Sequence, residues 1–459
     1  MTGVRAVRFA TGARVVIGAV VAAACAVGVV AAIHAPWPEI TRSPAQVEVA
    51  PLPGEPVLVC TGDLRAIGRD SSDPLSMRSA GALALVTGGT DGDPSETPIA
   101  APDLIGGGDV PRLSAAVVER SAPVIAAAES ITVSSTDLAG LAALPCGESR
   151  LESWLVGGSV ATGTKDLVVL TNAAAVTSTV DLSVHGETRS NRTVIIPSRT
   201  QVALPLASIA AGNPAPVVEV VAEGAPVRAV LQSSFVRTLD PAGIDLQDAV
   251  ASPQRNLLFP GVQVFDGEGD DTDLTMLRLL SPDAAGTASV TVRAPGSTAA
   301  AQEFTVPLTA DVPADVSLQG LPAGAYTVEV SSDAPVVAAA RQQDGFGRGS
   351  DFAWTTPAAE ITEEVLFAVP RGPAARLHVA NPGDAEATVT IETVDGKAVE
   401  EVVVPAGDSA EVGVPVGAVY RLSTSAPVHA AVTMSGRGAL ATWPVAPGAG
   451  AESTITVYP

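Results

Sequence analysis

The sequence predicts an all-β protein, built as tandem immunoglobulin-like β-sandwich modules that follow one N-terminal transmembrane helix. Three observations lead to this prediction. Short runs of alternating apolar residues, the period of a β-strand, recur along the chain. Similar landmark sequences return roughly every 100 residues, which is far longer than a helical solenoid repeat. Proline and glycine, 37 and 43 residues, separate the runs as turn residues do.

The N-terminus predicts a membrane topology. Residues 1–14 carry three arginines and no acid, and Val15 to Ile33 is a run of 19 residues without a charge. As a helix this run is about 28 Å long, close to the hydrocarbon thickness of a bilayer. Cationic residues before the run favour an inside N-terminus, so residues 35–459 are expected outside the cytoplasmic membrane in a single-pass topology. A cleaved signal peptide, or a lipoprotein modified at Cys25, is the alternative interpretation.

The same patterns divide the chain into six segments. The residues after the helix are rich in proline and are expected to form an extended stalk. The predicted segments are 1–34 (cytoplasmic tip and transmembrane signal-anchor), 35–56 (stalk), 57–150 (a diverged first β module), and 151–253, 254–358 and 359–459 (three β-sandwich modules).

One repeated stretch has the form strand, polar turn, strand. It occurs as "LVVLTNAAAVTSTVDLSVHG" from Leu167, "MLRLLSPDAAGTASVTVRAPG" from Met276 and "LHVANPGDAEATVTIETVDG" from Leu377. Each copy is predicted to be a hairpin. An Ala-Pro-Val landmark follows each copy, and a fourth precedes the first; the prolines are Pro123, Pro226, Pro335 and Pro427, separated by 103, 109 and 92 residues.

Helical periodicity is nearly absent from the body of the chain. The exception is "TDLAGLAAL", Thr136 to Leu144, for which a short helix is expected. The phase of the repeat stays open, because the terminal "STITVYP" resembles the first strand of a module.

Composition argues against several functions. The net charge of −23 repels phosphate backbones, so nucleic-acid binding is not expected. Aromatic residues make up 3% of the chain, which argues against a cleft that stacks on sugars. Trp154, Trp354 and Trp443 are therefore interpreted as core residues.

Two cysteines, Cys60 and Cys146, lie outside the predicted helix. In an oxidising compartment they are expected to form a disulfide that cross-links the first module. The closed loop of 86 residues corresponds to roughly 4–5 kcal/mol in the chain-entropy description.

The loop "DGEGDDTD" is the one candidate metal site. Asp266, Glu268, Asp270 and Asp273 offer oxygen ligands that suit calcium. The spacing differs from that of an EF-hand, and a solvated loop between strands is the alternative. Apart from possible calcium, no cofactor is expected.

The remaining glycine-rich and histidine motifs do not indicate a binding or catalytic site. The glycine-rich stretches 103–110 and 345–351 lack the ending of a phosphate-binding loop and are interpreted as loops. His34, His185, His378 and His429 lack the spacing of metal ligands, and no Gly-x-Ser-x-Gly elbow supplies a nucleophile. No catalytic residue is assigned.

The segment "DLAGLAALPCGESRLESWLVGGSVATGTKDLVVLTN" resembles a family. It combines Cys146, the Glu-x-Trp ending at Trp154, the glycine pair 157–158 and Asn172. This combination resembles uncharacterised secreted or membrane-anchored actinobacterial proteins that are grouped as a domain of unknown function. Ala173 stands where proline is common in that family. The resemblance implies an extracytoplasmic location and brings no activity, ligand or catalytic residue.

The resulting hypothesis is a membrane-anchored, extracytoplasmic β-sandwich repeat protein, not an enzyme, with a structural or protein-binding role in the cell envelope. Its expected partner is an envelope protein or a cell-wall polymer. Two alternatives are kept: an envelope enzyme that acts on glycans through acids between modules, and a calcium-dependent adhesion module that uses the 266–273 loop.

Overall fold

The computed structural model describes residues 3–34, 47–49, 54–118, 121–267, 273–447 and 455–457. Its contacts divide the chain into two units. The first comprises Met1–Pro51 and Ser453–Pro459, and the second comprises Leu52–Glu452. The six predicted segments stay a prediction, because this division separates only the two ends of the chain from the remainder.

The first unit contains one helix and one small sheet. Helix α1 spans Gly3–His34. Strand β1 (Val47–Val49) pairs antiparallel with the last strand of the chain, β35 (Ile455–Val457). The terminal segment thus pairs with the end of the predicted stalk rather than beginning another module.

Side chains of α1 are described for residues 16–32, and all of them are exposed. Within the described residues, no helix combines the length and the hydropathy needed to cross a membrane.

The second unit is almost entirely β-structure, as predicted, and begins with repeat 1. Its strands form three three-stranded sheets, in the orders β2-β8-β6, β3-β4-β7 and β10-β9-β5. Their bounds are β2 Val57–Val59, β3 Leu64–Ile67, β4 Met77–Gly81, β5 Ala84–Gly89, β6 Ser95–Ile99, β7 Leu104–Ile105, β8 Val110–Ser114, β9 Ile125–Ser134 and β10 Ala139–Pro145.

The predicted helix over 136–144 is wrong, because most of this segment is strand β10. The strand is buried on both faces: Leu141 and Ala143 pack into one hydrophobic cluster, and Ala142 and Leu144 into another. Alternate residues of a strand point to opposite faces. A continuous apolar run is therefore what a doubly covered strand requires.

Repeat 2 is a pair of packed sheets. The outer sheet has the order β11-β16-β13-β14, and the inner sheet has the order β15-β12-β17-β18. The bounds are β11 Glu152–Leu155, β12 Leu167–Asn172, β13 Ser178–His185, β14 Ser190–Ile196, β15 Thr200–Pro205, β16 Val217–Glu223, β17 Arg228–Arg237 and β18 Asp240–Asp248, with a 3₁₀ helix over Leu206–Ser208.

Repeat 3 has the same strand order as repeat 2, except that one long strand takes the place of two. The single long strand β24 serves both sheets, first pairing with β19 and β21 and then with β20 and β25. The bounds are β19 Gln254–Val264, β20 Thr275–Leu280, β21 Gly286–Arg293, β22 Ala300–Leu308, β23 Ala314–Ser317, β24 Gly324–Gln343 and β25 Phe352–Thr355.

Repeat 4 reproduces the order of repeat 2. Its outer sheet is β27-β32-β29-β30, and its inner sheet contains β31, β28, β33 and β34, with the short β26 also on β33. The bounds are β26 Glu360–Ile361, β27 Val365–Val369, β28 Ala375–Asn381, β29 Ala387–Thr393, β30 Ala398–Val404, β31 Asp408–Val414, β32 Ala418–Thr424, β33 Val428–Gly436 and β34 Ala439–Pro444.

The predicted hairpins are wrong. In every copy the first strand of the repeated stretch lies in the inner sheet and the second in the outer sheet, as with β12 and β13. The intervening turn therefore carries the chain across the core. Both strands present their apolar residues to the same core, such as Leu170 and Leu182 in repeat 2, which gives the sequence pattern expected of a hairpin.

The Ala-Pro-Val landmark marks the opposite crossing, from the outer sheet to the inner one. It lies between β16 and β17, within β24, and between β32 and β33. Proline has no N–H to donate to a β ladder, so it suits a point where one sheet's pairing ends and the other's begins.

Candidate functional site

The last strands of the four repeats meet in one place, which we call the hub: β10, β18, β25 and β34. β10 contacts β18, β18 contacts β25, β25 contacts β34, and β34 contacts β10. These are the second strands of the hairpins that follow the four Ala-Pro-Val landmarks. The repeats therefore close around a common centre.

Asp351 joins the four strands of the hub. It directly precedes β25 and is fully buried. Its Oδ2 accepts the backbone N–H of Leu141 in β10 at 2.7 Å and that of Leu440 in β34 at 2.8 Å. Its Oδ1 accepts the N–H of Ile244 in β18 at 3.0 Å. Burial raises the pKa of Asp351 well above its ordinary value, against the effect of these N–H donors.

Two glycines make room for this carboxylate. Gly140 and Gly243 both have positive φ, and a Cβ at either position would lie 2.9 Å from an atom of Asp351. Only glycine adopts this backbone conformation without a steric cost. The close approach of three backbones to one side chain thus depends on residues that lack a Cβ.

Buried polar contacts hold each repeat to the next. Arg228 of repeat 2 donates to the carbonyl of Pro145 in repeat 1 at 2.6 Å. Arg278 of repeat 3 donates to the carbonyl of Gly158 in repeat 2 at 2.7 Å. The hydroxyl of Ser130 in repeat 1 donates to the carbonyl of Arg371 in repeat 4 at 2.6 Å.

Repeats 3 and 4 also meet where a glycine backbone packs against a histidine ring. Gly261 of β19 lies so close to His378 of β28 that a Cβ at residue 261 would be 2.9 Å from the His378 Cβ. His378 is buried, and burial lowers its pKa to about 4. The histidine is therefore neutral and packed at this junction.

Two further acids are buried near the hub or within a repeat. Asp245 of β18 accepts the backbone N–H of Trp354 in β25 at 2.8 Å, and burial raises its pKa well above the ordinary value. Asp166 accepts the N–H of Ser159 at 2.7 Å, and burial raises its pKa to about 7. Both carboxylates are used to satisfy backbone donors.

A cavity of about 430 Å³ lies where the hub strands end, and we call it the hub cavity. All four repeats line it, and its rim reaches the surface at exposed residues such as Glu148, Gln254 and Ala446. Its apolar wall residues include Leu58, Ile125, Ala127, Leu144, Leu257, Phe367, Ala368 and Val445, together with the indoles of Trp354 and Trp443.

Two polar side chains of the cavity lining lack partners in the protein. Gln247 is 1% exposed, and neither atom of its carboxamide makes a hydrogen bond. Thr442 is 2% exposed, and its hydroxyl is likewise unpaired. Both polar groups are closed to solvent although the cavity is open to it, and the Gln247 carboxamide packs against Gly157, which does not line the cavity.

A family profile covers most of this architecture. The profile described as "Family of unknown function (DUF5719)" matches residues 105–415, which includes parts of all four repeats. The chain belongs to the DUF5719 family. This confirms the predicted membership of a family of unknown function.

No curated protein matches this DUF5719 chain. Among solved structures, a "Biofilm associated protein - BSP domain" aligns over 80% of this chain and 67% of that chain, at 11% identity and a TM-score of 0.12. At that TM-score the alignment carries no information on the fold or function of the DUF5719 protein.

The predicted site residues have different outcomes in the structure. Cys60 and Cys146 form a disulfide, and both residues are buried. Their sulfurs and the carboxylate of Glu129 make the one group of potential metal ligands found in the described part of the chain, but disulfide sulfurs are not thiolate ligands. Glu129 instead accepts the N–H of Thr61 at 2.6 Å, and burial raises its pKa to about 7.

The predicted calcium loop is described only at its ends. Glu268 and Asp270 lie outside the described residues. Asp273 has positive φ and accepts a hydrogen bond from the side chain of Gln319. The calcium site therefore stays a prediction.

The structure also assigns roles that the sequence did not suggest. Trp154, Trp354 and Trp443 are buried, as predicted, but two of them also line the hub cavity. Asp351 ends the glycine-rich stretch 345–351, for which the sequence predicts only a loop. Neither Asp351 nor Gln247 was a candidate from the sequence.

Proposed function

We propose that this DUF5719 protein is a membrane-anchored, extracytoplasmic protein with a structural or protein-binding role in the cell envelope. One observation carries the binding half of the proposal. The four repeats are fixed around the hub, while the outer sheets of repeats 2, 3 and 4 each end in a strand with a single paired neighbour in the described structure. These edge strands are β14, β22 and β30.

Edge strands have unpaired N–H and C=O groups that can pair with an extended segment of another chain. β14 and β30 also carry exposed apolar side chains, Ile195 (67% exposed) and Val403 (48% exposed). An apolar side chain beside free backbone groups supports a protein partner that adds a strand.

Photo-crosslinking in cells tests this surface. A photoreactive amino acid at residue 195 or 403 is expected to give one discrete adduct with an envelope protein. Leu239, which is 82% exposed in the turn between β17 and β18 and outside any edge strand, is the matched control position. The absence of adducts at both edge positions, or the same adducts at residue 239, would remove the binding half of the proposal.

The membrane anchor in this proposal rests on the uncharged run 15–33. The mass of the mature chain separates an uncleaved anchor from a cleaved signal peptide. Protease added to cells without their wall is expected to digest residues after 35 and to spare an N-terminal tag. Protection of the whole chain would contradict the extracytoplasmic location.

A further inference from the structure

Two edge strands of the outer sheets lie in stretches of opposite charge. β14 of repeat 2 lies within residues 188–218, which contain three arginines and no acid. β30 of repeat 4 lies within residues 384–411, which contain eight acids and one lysine. The sign at β14 is therefore opposite to that of the whole chain, whose net charge is −23. The two edges are electrostatically complementary to each other.

The charges on the two edge strands are not engaged within the described protein. Arg192 is exposed on β14, and Glu400 and Glu401 are exposed on β30. Among the described residues, none of these three side chains forms an ion pair. Arg189, which precedes β14, differs because its guanidinium contacts Asp311. Arg192 and the two glutamates can therefore meet charges of a partner.

The two strands also occupy equivalent places in their repeats. Each has seven residues and is the last strand of a four-stranded outer sheet. Arg192 pairs with Leu182, and Glu400 pairs with Ile391. Both of these apolar partners belong to hydrophobic cores. Since residues directly opposite in a sheet share a face, Arg192 and Glu400 both lie on the core-side face.

This equivalence allows two outer sheets to join into one. A half-turn about an axis normal to the sheet sets β14 of one copy antiparallel to β30 of another and keeps both cores on the same side. At full overlap Thr193 stands opposite Glu401. Arg192 and Glu400 are then diagonal neighbours on one face, a separation that long side chains can span.

Pairings between other edges are less favourable. Two β14 edges joined in the same way bring two copies of Arg192 together, and two β30 edges place Glu401 opposite Glu401. Like charges at such positions destabilise a sheet. The third edge strand, β22, contains Pro307 and no basic residue. Because proline has no N–H to donate, it protects an edge from pairing.

We propose that β14 of one copy pairs antiparallel with β30 of a second copy of this chain. The inference rests on the proposed strand-addition function and names the partner at that surface as another copy. The interface is heterologous, because it joins two different edges. Each bound copy keeps one free edge of each kind, so association continues head to tail unless a ring closes.

Photo-crosslinking of the purified full chain in detergent tests the pairing. A photoreactive amino acid replaces Ile195 on β14, and an isotopically labelled copy without it is added, so that adducts between two chains are identified by mass. The expected adduct joins residue 195 to a labelled peptide that contains residues 398–404. An adduct with β14 of the labelled copy, or no adduct between chains at about 100 μM, would overturn the proposal.

Charge reversal provides the second test. Arg192→Glu and Glu400→Arg, each made alone, place like charges together and are expected to lower the yield of this adduct about tenfold. Both substitutions in one chain are expected to restore the yield. Arg437→Glu is the control, since it changes the net charge equally but lies exposed in the turn between β33 and β34. An equal loss in the control, or no recovery in the double variant, would contradict the pairing.

The outcome in cells separates this inference from the proposed function. If residue 195 crosslinks to a different envelope protein in cells and purified copies do not crosslink, this inference is overturned and the proposed function stands. If neither residue 195 nor residue 403 gives an adduct in cells or with the purified chain, both are overturned.

Discussion

The carboxylate of Asp351 accepts the backbone N–H of Leu141 at 2.7 Å, across 210 residues of the chain. The same side chain accepts N–H groups from Ile244 and Leu440. In a linear repeat protein each repeat contacts only its neighbours, and stability is close to a sum of local terms. Here one buried side chain is satisfied only when all four repeats are assembled, so we expect their stabilities to be coupled.

Asp351→Asn tests this coupling. The asparagine NH₂ group must face at least one backbone N–H, so at least one buried donor loses its acceptor. We expect a loss of about 3 kcal/mol or more in the free energy of unfolding, measured by chemical denaturation. Asp240→Asn is the control, because Asp240 forms an exposed ion pair with Arg348 and should change stability by no more than about 1 kcal/mol. Similar small effects in both variants would contradict the role of Asp351.

Gly140→Ala probes the space beside that carboxylate. The added Cβ would lie 2.9 Å from both Asp351 Cγ and the Ile244 nitrogen, so the hub strands must separate. Gly92→Ala is the control, since Gly92 also has positive φ but has nothing within 4 Å of the added atom. We expect thermal unfolding of Gly140→Ala at a clearly lower temperature than that of Gly92→Ala. Equal shifts would mean that backbone strain alone explains both.

The sequence was a good guide to the strands and a poor guide to their partners. The period-2 pattern identifies strands such as β13 and β29, because alternate residues face one core. The pattern does not say which sheet a strand joins, and so it predicts a hairpin for β12 and β13, which share a core but lie in different sheets. The pattern does not identify β10 for a related reason, because a strand covered on both faces has no alternation of apolar and polar residues.

A comparison of the repeats in the sequence could have identified Asp351 as an unusual residue. In repeats 2, 3 and 4 the residue eight positions after the landmark proline pairs with Ile244, Phe352 and Leu440. The residues just before those three are Gly243, Asp351 and Ala439. One acid among small residues at an equivalent position is a signal for a special role. The hub cavity could not be predicted from the sequence, because it exists only where four strand ends that are distant in the sequence converge.

The Cys60–Cys146 disulfide closes a loop of 86 residues and is buried. In the chain-entropy description its loss costs roughly 4–5 kcal/mol. We therefore expect a Cys60→Ser, Cys146→Ser double variant to unfold at a markedly lower denaturant concentration. Cys25→Ser, which removes the free cysteine of α1, is expected to leave the midpoint unchanged. An unchanged midpoint in the double variant would show that repeat 1 does not need the cross-link.

Glu129 predicts a pH dependence of stability. Burial raises its folded-state pKa to about 7, above the ordinary value of 4.5, so the folded state holds a proton that the unfolded state releases. Its contribution to stability is present below pH 4.5 and is lost as pH rises through about 7. We expect the unfolding free energy of Glu129→Gln to fall less over this window than that of the parent, by about 1–3 kcal/mol. Parallel pH profiles would contradict the assignment.

Gln247 and Gln232 predict opposite effects of the same substitution on stability. Gln232 accepts the N–H of Arg65 at 2.9 Å and donates to its carbonyl at 2.7 Å, whereas the Gln247 carboxamide has no partner. Methionine removes two hydrogen bonds at residue 232, and we expect a loss of about 2 kcal/mol there. At residue 247 it removes a buried, unsatisfied group, and we expect a gain of about 1 kcal/mol in the free energy of unfolding. If both variants are destabilised equally in denaturant melts, the Gln247 amide is already satisfied in the free protein.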